Sequence, residues 1–356
     1  MQSYEFFKAL IAAPSPSGFE EEARRVWRNE VKTFADSHFT NMHGTEIATV
    51  KGRSEKTSLL LMGHIDEIGL IVRYISDDGF LYFAQVGGQD EEVFVSQQVR
   101  LLGPKGTIRG IIGKNALHLL DEEERRKKSK LHELFIDIGA KTKAEAEEHA
   151  PIGTPGVVGI PEVIELLNER VAGRCVDNKF GAFVCAEVLR NVAARKSELY
   201  PTIHAAATVQ EETSPDFTGA TTAAYRINPT AAIAVDVNHS IDVPSTDKRR
   251  FGDAAMGKGA ILTIGVRSNN KLADAIKKAA TGAGITMQYE YDNGRHGTDA
   301  DAVTSIRSGI PTISIGNPLR YMHTTVEMTQ LSDIQAVIDA LVAFIMAIES
   351  ETDFAP

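Results

Sequence analysis

The sequence predicts an α/β fold, a mixed and largely buried central sheet with helices on both faces, into which a small β-rich domain is inserted. From residue 178 onward, apolar segments alternate between helical and strand periodicity, the texture of a sheet covered by helices. Between 68 and 165 that alternation gives way to short β-rich pieces. The chain has 356 residues, 43% of them hydrophobic and 24% charged, which is long for one ordinary core. The resulting parse makes one α/β domain from residues 1–67 and 166–356 and places the insertion at 68–165.

The elements follow in order. Ser17-Gly-Phe-Glu20 reads as a capping box, and Phe19, Ala23, Val26, Trp27 and Val31 recur at helical spacing, predicting an amphipathic helix over 18–34. EIATVKG and TSLLLMGHID are strand-like. LIVRYIS and FLYFAQV flank an Asp78-Gly79 turn, and QQVRLLG, TIRGIIG and LFIDIGA continue the β-rich stretch. The polar run LLDEEERRKKSKLHE interrupts them as a solvated loop. KFGAFVCAEVLRNVAARK is helical, and TIHAAATVQ and AAIAVDV are strands. NKLADAIKKAATGAG is a helix ended by glycine, PTISIG is a strand, and LSDIQAVIDALVAFIMAIE is a capped terminal helix.

Composition narrows the function. A formal net charge of -10 leaves no basic surface of the kind that nucleic acid or an anionic membrane requires. The N-terminal MQSYEFFKALIAAPSPSG has no basic leader before an apolar core, so no secretory signal is expected. No run approaches the ~20 apolar residues of a membrane helix. Cys175 and Cys185 are too few for a disulfide framework, and a reducing, cytoplasmic location is the simpler expectation.

Chemistry enters at LLLMGHIDEIGLIV, where His64, Asp66 and Glu67 interrupt a buried strand. Ionisable groups buried without partners cost several kcal/mol, so these need a hydrogen-bonded network or a cation. Other such residues fall at predicted strand ends or helix mouths. Asp177 precedes a helix, Glu211 and Glu212 end HAAATVQ, Asp236 ends AAIAV, and His323 follows PTISIGNPLRYM. In open α/β sheets that edge is where ligands bind.

Two imidazoles and several carboxylates without thiolates suit a pair of divalent ions such as zinc or cobalt. If Asp177 bridges them, with His64 and Asp236 on one and Glu212 and His323 on the other, three carboxylates offset three of four positive charges. The remainder would stabilise a hydroxide between the metals. Asp66, two residues from His64, could hold the second imidazole nitrogen and fix its tautomer. In the Glu211-Glu212 pair, one carboxylate would bind metal and the other act as base, an order that spacing alone leaves open.

Each residue also has a plain structural reading: His64 as a satisfied core histidine, Asp177 as an N-cap, the glutamates as surface decoration. Their joint placement at one edge argues against so many coincidences. Asp299 and Asp301 in HGTDAD face either the cleft or a turn, and Cys175 reads as a small buried hydrophobe rather than a soft-metal ligand.

The chain resembles the dinuclear metalloaminopeptidases that assemble as tetrahedral particles, the family that includes glutamyl and deblocking aminopeptidases. GHIDEIG (63–69), AGRCVDNKFG (172–181), VQEE (209–212), VDVNHSIDVP (235–244), GTDAD (297–301) and GIPTISIGNPLRYMHTTVE (309–327) carry the likeness, which spans essentially the whole chain. It implies a zinc-peptidase-like catalytic domain with two Zn2+ or Co2+ ions and an inserted PDZ-like oligomerisation domain. It also implies peptide substrates with a free N-terminus, and a homo-oligomer, a dodecamer around an inner chamber or a dimer.

Position by position, the resemblance makes His64, Asp177, Glu212, Asp236 and His323 the metal ligands and Glu211 the base, with Asp66 in the shell just behind the ligands. Lys179 stands where relatives commonly have Arg, and His296 where a Gly is usual, which bears on side-chain preference. The rival expectations are a dinuclear-metal carboxypeptidase or N-acyl amino-acid deacylase, a two-carboxylate glycosidase, and a non-catalytic assembly scaffold.

Overall fold

A computed structural model describes residues 3–54 and 56–355. Met1 and Gln2, where the segment read as lacking a secretory signal begins, lie outside the described residues, as does the side chain of Glu124 in the polar run. The chain opens with α1 (Tyr4–Ala12), α2 (Glu21–Val31), β1 (Ser37–Thr40), β2 (Glu46–Val50) and β3 (Ser58–His64). Then come β4 (Gly69–Ile75), β5 (Leu81–Val86), β6 (Gln98–Gly103), β7 (Gly106–Gly113), β8 (Phe135–Asp137), α3 (Lys143–His149) and β9 (Pro155–Val158). Next are β10 (Ile164–Glu165), β11 (Arg170–Gly173), α4 (Val176–Ala194), β12 (Thr202–Thr208), α5 (Thr218–Ile227), β13 (Ala231–His239) and α6 (Lys248–Phe251). The last are β14 (Ala260–Gly265), α7 (Asn270–Gly282), β15 (Met287–Asp292), α8 (Ala300–Val303), β16 (Thr312–Leu319), β17 (Glu327–Gln330) and α9 (Leu331–Met346).

Eight strands form one mixed sheet in the order β1-β2-β12-β3-β13-β16-β14-β15, with β12, β3, β13 and β16 parallel at its centre. The apolar run of β3 shows why the sheet is covered twice. Leu59 and Leu61 face a core shared with α1, α2, α4, α7 and α9, while Leu60 and Met62 face one shared with α5 and α8. The α/β expectation, with helices on both faces, is borne out. Trp27, fully buried under α2, donates from its indole N–H to the Ala182 carbonyl at 2.8 Å, so its one polar atom is satisfied. Gly63 lets α4 lie directly on β3, since a Cβ there would come within 2.2 Å of the Gly181 carbonyl carbon.

Strands β4 to β9 close into a six-stranded barrel, ordered β4-β5-β8-β7-β6-β9, around Leu70, Val72, Phe83, Phe94, Leu101 and Ile136. β10, at the end of the stretch read as the insertion, pairs with β11, which in turn pairs with β17. The polar run is largely exposed, as its charge dictates, and contains two single 3-10 turns, Glu124–Arg126 and Leu131–Glu133.

The structure differs from the sequence reading in detail. α2 begins only at Glu21, because Ser17 spends its hydroxyl on Thr213, 2.7 Å away, and Glu20 accepts from the Gly18 N–H instead of closing a capping box. Gln330 gives α9 no side-chain cap, and Asp333 turns its carboxylate to the Gly257 and Gly259 N–H groups. α3, which sequence periodicity did not suggest, is capped by Thr142 accepting from the Glu145 N–H. α7 ends as expected, with Gly284 just beyond it at φ +71°.

Candidate metal centre

The parallel strands deliver their C-terminal ends to one edge. His64 closes β3 in register with Thr208 of β12, and the chain beyond β12 turns through Gln210, at φ +58°, into Glu211 and Glu212. Asp236 sits within β13, opposite Gly316 of β16. Beyond β16, Tyr321 and His323 take left-handed backbone conformations that swing the imidazole back over the edge. Asp177 lies in the first turn of α4 with an extended ψ of 106°, so Cys175 holds the cap position and the Asp177 carboxylate turns towards the two imidazoles.

The distances describe one cluster. His64 Nε2 is 3.3 Å from Asp177 Oδ1, 3.8 Å from Glu211 Oε2 and 4.0 Å from Asp236 Oδ1. His323 Nε2 is 3.4 Å from Asp177 Oδ2 and 3.4 Å from Glu212 Oε2. Asp177 therefore offers one oxygen to each imidazole. Six of the seven residues singled out in the sequence line one cavity; Asp66 lies beneath it, fully buried.

Asp66 acts differently from the expectation. The nearest group to His64 Nδ1 is the Asp66 main-chain oxygen at 3.1 Å, with the carboxylate at 3.5 Å. The carboxylate accepts from the Glu211 and Glu212 N–H groups, each at 3.1 Å, and so ties the glutamate pair to β3. Sequence reasoning missed Glu327. Its buried carboxylate accepts from the Asp177 N–H at 2.9 Å and the His323 N–H at 2.8 Å, clamping two ligand-bearing segments. The only sequence signal was its place at the end of the HTTVE motif. His323 Nδ1 hydrogen-bonds the Gly88 carbonyl, a backbone group of the barrel that carries no signal at all.

Glu67 takes the network solution to burial, with Arg174 and Lys179 paired to its carboxylate and Ser15 donating to it. Asp301 serves the turn, accepting from the His296 and Gly297 N–H groups. Asp299 is buried with Thr208 donating to it and lies outside the cavity lining. Cys175 lies outside the cavity lining, its thiol between Arg174 Nη1 at 3.3 Å and the Ile11 carbonyl at 3.7 Å, and burial pushes it up to about 12.

The cluster's electrostatics call for cations. Burial and the Asp177 charge push Glu212 up to about 8, and burial pushes Glu211 and Asp236 well above the carboxylate range. Burial lowers His323, but Asp177 and Glu212 outweigh it and carry the imidazole up to about 9. His64 is likewise raised despite its burial, by Glu211 and Asp177. Asp177 alone is driven down, because hydrogen bonds from both imidazoles overcome its burial. Each Nδ1 faces a carbonyl oxygen, so each Nε2 points at carboxylates, where only a proton or a metal ion relieves the repulsion. Glu212 Oε1 is buried with no partner. The donor set and this orphaned oxygen fit divalent metal.

Imidazoles and carboxylates gathered at the C-terminal edge of a mixed sheet define a metal-dependent hydrolase. The sequence pattern of the M42 glutamyl aminopeptidase family matches residues 44–340, and the chain belongs to that family, whose members are metallo-aminopeptidases. It is 30% identical to the lysyl aminopeptidase of Pyrococcus furiosus over 100% of both chains. Its fold is similar to that of a TET aminopeptidase from a marine-sediment archaeon of the Thaumarchaeota, with a TM-score of 0.90 and 31% identity over 98% of this chain and 97% of that one. It is also similar to the Pyrococcus horikoshii TET1 peptidase, which can assemble into a tetrahedron or a large octahedral shell. There the TM-score is 0.85 and the identity 29%, over 97% of this chain and 99% of that one. The resemblance read from the motifs is thus borne out, as is the enzyme class.

Proposed function

We propose that the protein removes the N-terminal residue of peptides with a free α-amine, using two divalent ions, zinc or cobalt. His64, Asp177 and Asp236 would hold one, and Glu212 and His323, with Asp177 again, the other. The observation that carries this is the placement of Asp177, one oxygen towards each imidazole. When bound, the cations polarise the scissile carbonyl and make water a competent nucleophile near neutral pH.

The protein's own groups supply the rest. Glu211, whose carboxylate lines the cavity on the His64 side, takes the proton from the attacking water and passes it to the leaving amine. Asp66 holds the Glu211 and Glu212 backbone so that the pair stays divided between base and ligand. Burial raises Glu211, which strengthens it as a base.

Glu211→Gln should keep its metal and lose turnover by roughly 10²–10⁴-fold. Ordinary activity of that variant on aminoacyl anilides would overturn the assignment. Faster hydrolysis of an N-acetylated peptide than of its free-amine form would favour a deacylase instead. The barrel joins copies into a dodecamer or a dimer, consistent with the exposed Tyr74, Ile111 and Ile152 on it; light scattering after gel filtration tests this. Buried free Cys175 and Cys185 accord with a reducing cytoplasm.

A further inference from the structure

Beyond the metal ligands, the cavity continues between β13, β14 and β15 to the loop that carries His296. The His296 side chain is fully buried, yet neither ring nitrogen is hydrogen-bonded; Nε2 has only the Asp292 carboxylate 3.9 Å away, and Nδ1 has no polar contact. Buried polar atoms without partners are costly, so such a ring lining a cavity calls for a ligand. The loop is firmly built. Asp301 accepts from the His296 and Gly297 N–H groups at 3.0 and 2.9 Å, and Asp292 accepts from the Arg267 and Gly294 N–H groups, both at 3.1 Å.

In the same lining, Glu290 of β15 accepts through Oε2 from Asn238 Nδ2 at 2.6 Å. Asn238 lies two residues beyond Asp236, so this carboxylate is tied to a strand that carries a proposed metal ligand. Among the described residues Glu290 has no cationic partner.

The chemistry of this wall is one-sided. Burial lowers the His296 pKa, keeping the ring neutral near pH 7. Asp292 Oδ2, 3.9 Å from Nε2, draws the ring proton to that nitrogen and leaves Nδ1 as an acceptor. Glu290 and Asp292 contribute two carboxylates. Two cations stand near: Arg295, which lines the cavity but is exposed where it meets the neighbouring cavity beside Lys248–Arg250, and Arg267, which is paired with Asp301 at 3.8 Å and lies outside the lining. An occupant bearing only donors and a positive charge satisfies these acceptors. An acidic side chain is repelled by the carboxylates, and an apolar one leaves Nδ1 without a donor.

We propose that His296 and Glu290 select the N-terminal residue of the substrate and that they select a cationic side chain, lysine or arginine. This rests on the aminopeptidase reading above and adds its substrate class.

The test is a panel of lysyl, arginyl, leucyl and glutamyl anilides assayed with the full-length, metal-loaded protein. The expected result is a kcat/KM for the lysyl or arginyl compound at least about tenfold above the leucyl and glutamyl ones, the lower end of what a hydrogen bond to a charged group contributes. Glu290→Gln and His296→Ala should each lower the lysyl-to-leucyl ratio by about ten- to a hundredfold, chiefly through KM. A leucyl or glutamyl preference in the unaltered protein, or a ratio that neither substitution moves, overturns this inference while leaving aminopeptidase activity intact. Failure to hydrolyse any of the four overturns the aminopeptidase reading and the selectivity with it.

Discussion

Metal uptake by this site should expel protons, and the structure sets how many. In the metal-free protein at pH 7, His323 and Glu212 lie at about 9 and about 8, and His64 and Asp236 are raised well above their ordinary values. All four are proposed ligands and must be unprotonated to bind, whereas Asp177 is already ionised. Because neighbouring groups share protons, loading both positions should release about two to four per chain. The sign follows. Protons compete with metal, so apparent affinity rises with pH, and the share that comes from His323 and Glu212 is complete once the pH passes about 9. Titrating Zn2+ or Co2+ into the metal-free protein by calorimetry, in two buffers of different ionisation enthalpy, reads the number released from the difference in heats. Heats independent of buffer would refute the reasoning, since the four groups would then not be protonated competitors for the ion.

Two further perturbations follow from the same geometry. Glu327→Gln leaves one oxygen where two accept from the Asp177 and His323 N–H groups, and it should weaken metal affinity about ten- to a hundredfold. Elemental analysis after dialysis against dilute chelator measures this, and retention equal to the unaltered protein would count against the clamp. Burial would push Glu67 up, yet Arg174 and Lys179 bring it down to about 2 from an ordinary 4.5. A depressed carboxylate stabilises the fold above its unfolded pKa, so this contribution should be complete near neutrality and disappear as pH falls from about 4.5 to about 2. Glu67→Gln strands two buried cations and should cost about 3–5 kcal/mol in urea unfolding at pH 7. A loss below about 1 kcal/mol would show that the network relaxes around the amide.

Much of this architecture was legible in residue order. The run LLLMGH announces a buried strand ending in an imidazole because apolar side chains and strand length are local properties. The alternation after residue 178 announces a covered sheet for the same reason. Boundaries were less legible: nothing in Ser17-Gly-Phe-Glu20 reveals that Ser17 bonds Thr213, a partner 196 residues away, and so does not cap α2.

By itself, the sequence determined which chemical groups exist and which kind of element carries each: two imidazoles and a set of acids at the ends of strands and the mouth of a helix. Only the tertiary structure decided that Asp177 faces both imidazoles, that Asp66 secures the glutamate backbone, that Glu327 reaches the Asp177 N–H and that the Gly88 carbonyl holds His323. Those contacts join groups 145, 150 and 235 residues apart. Periodicity and propensity act over a few residues along the chain, whereas such hydrogen bonds form only once parallel strands are in register and the barrel is seated against them.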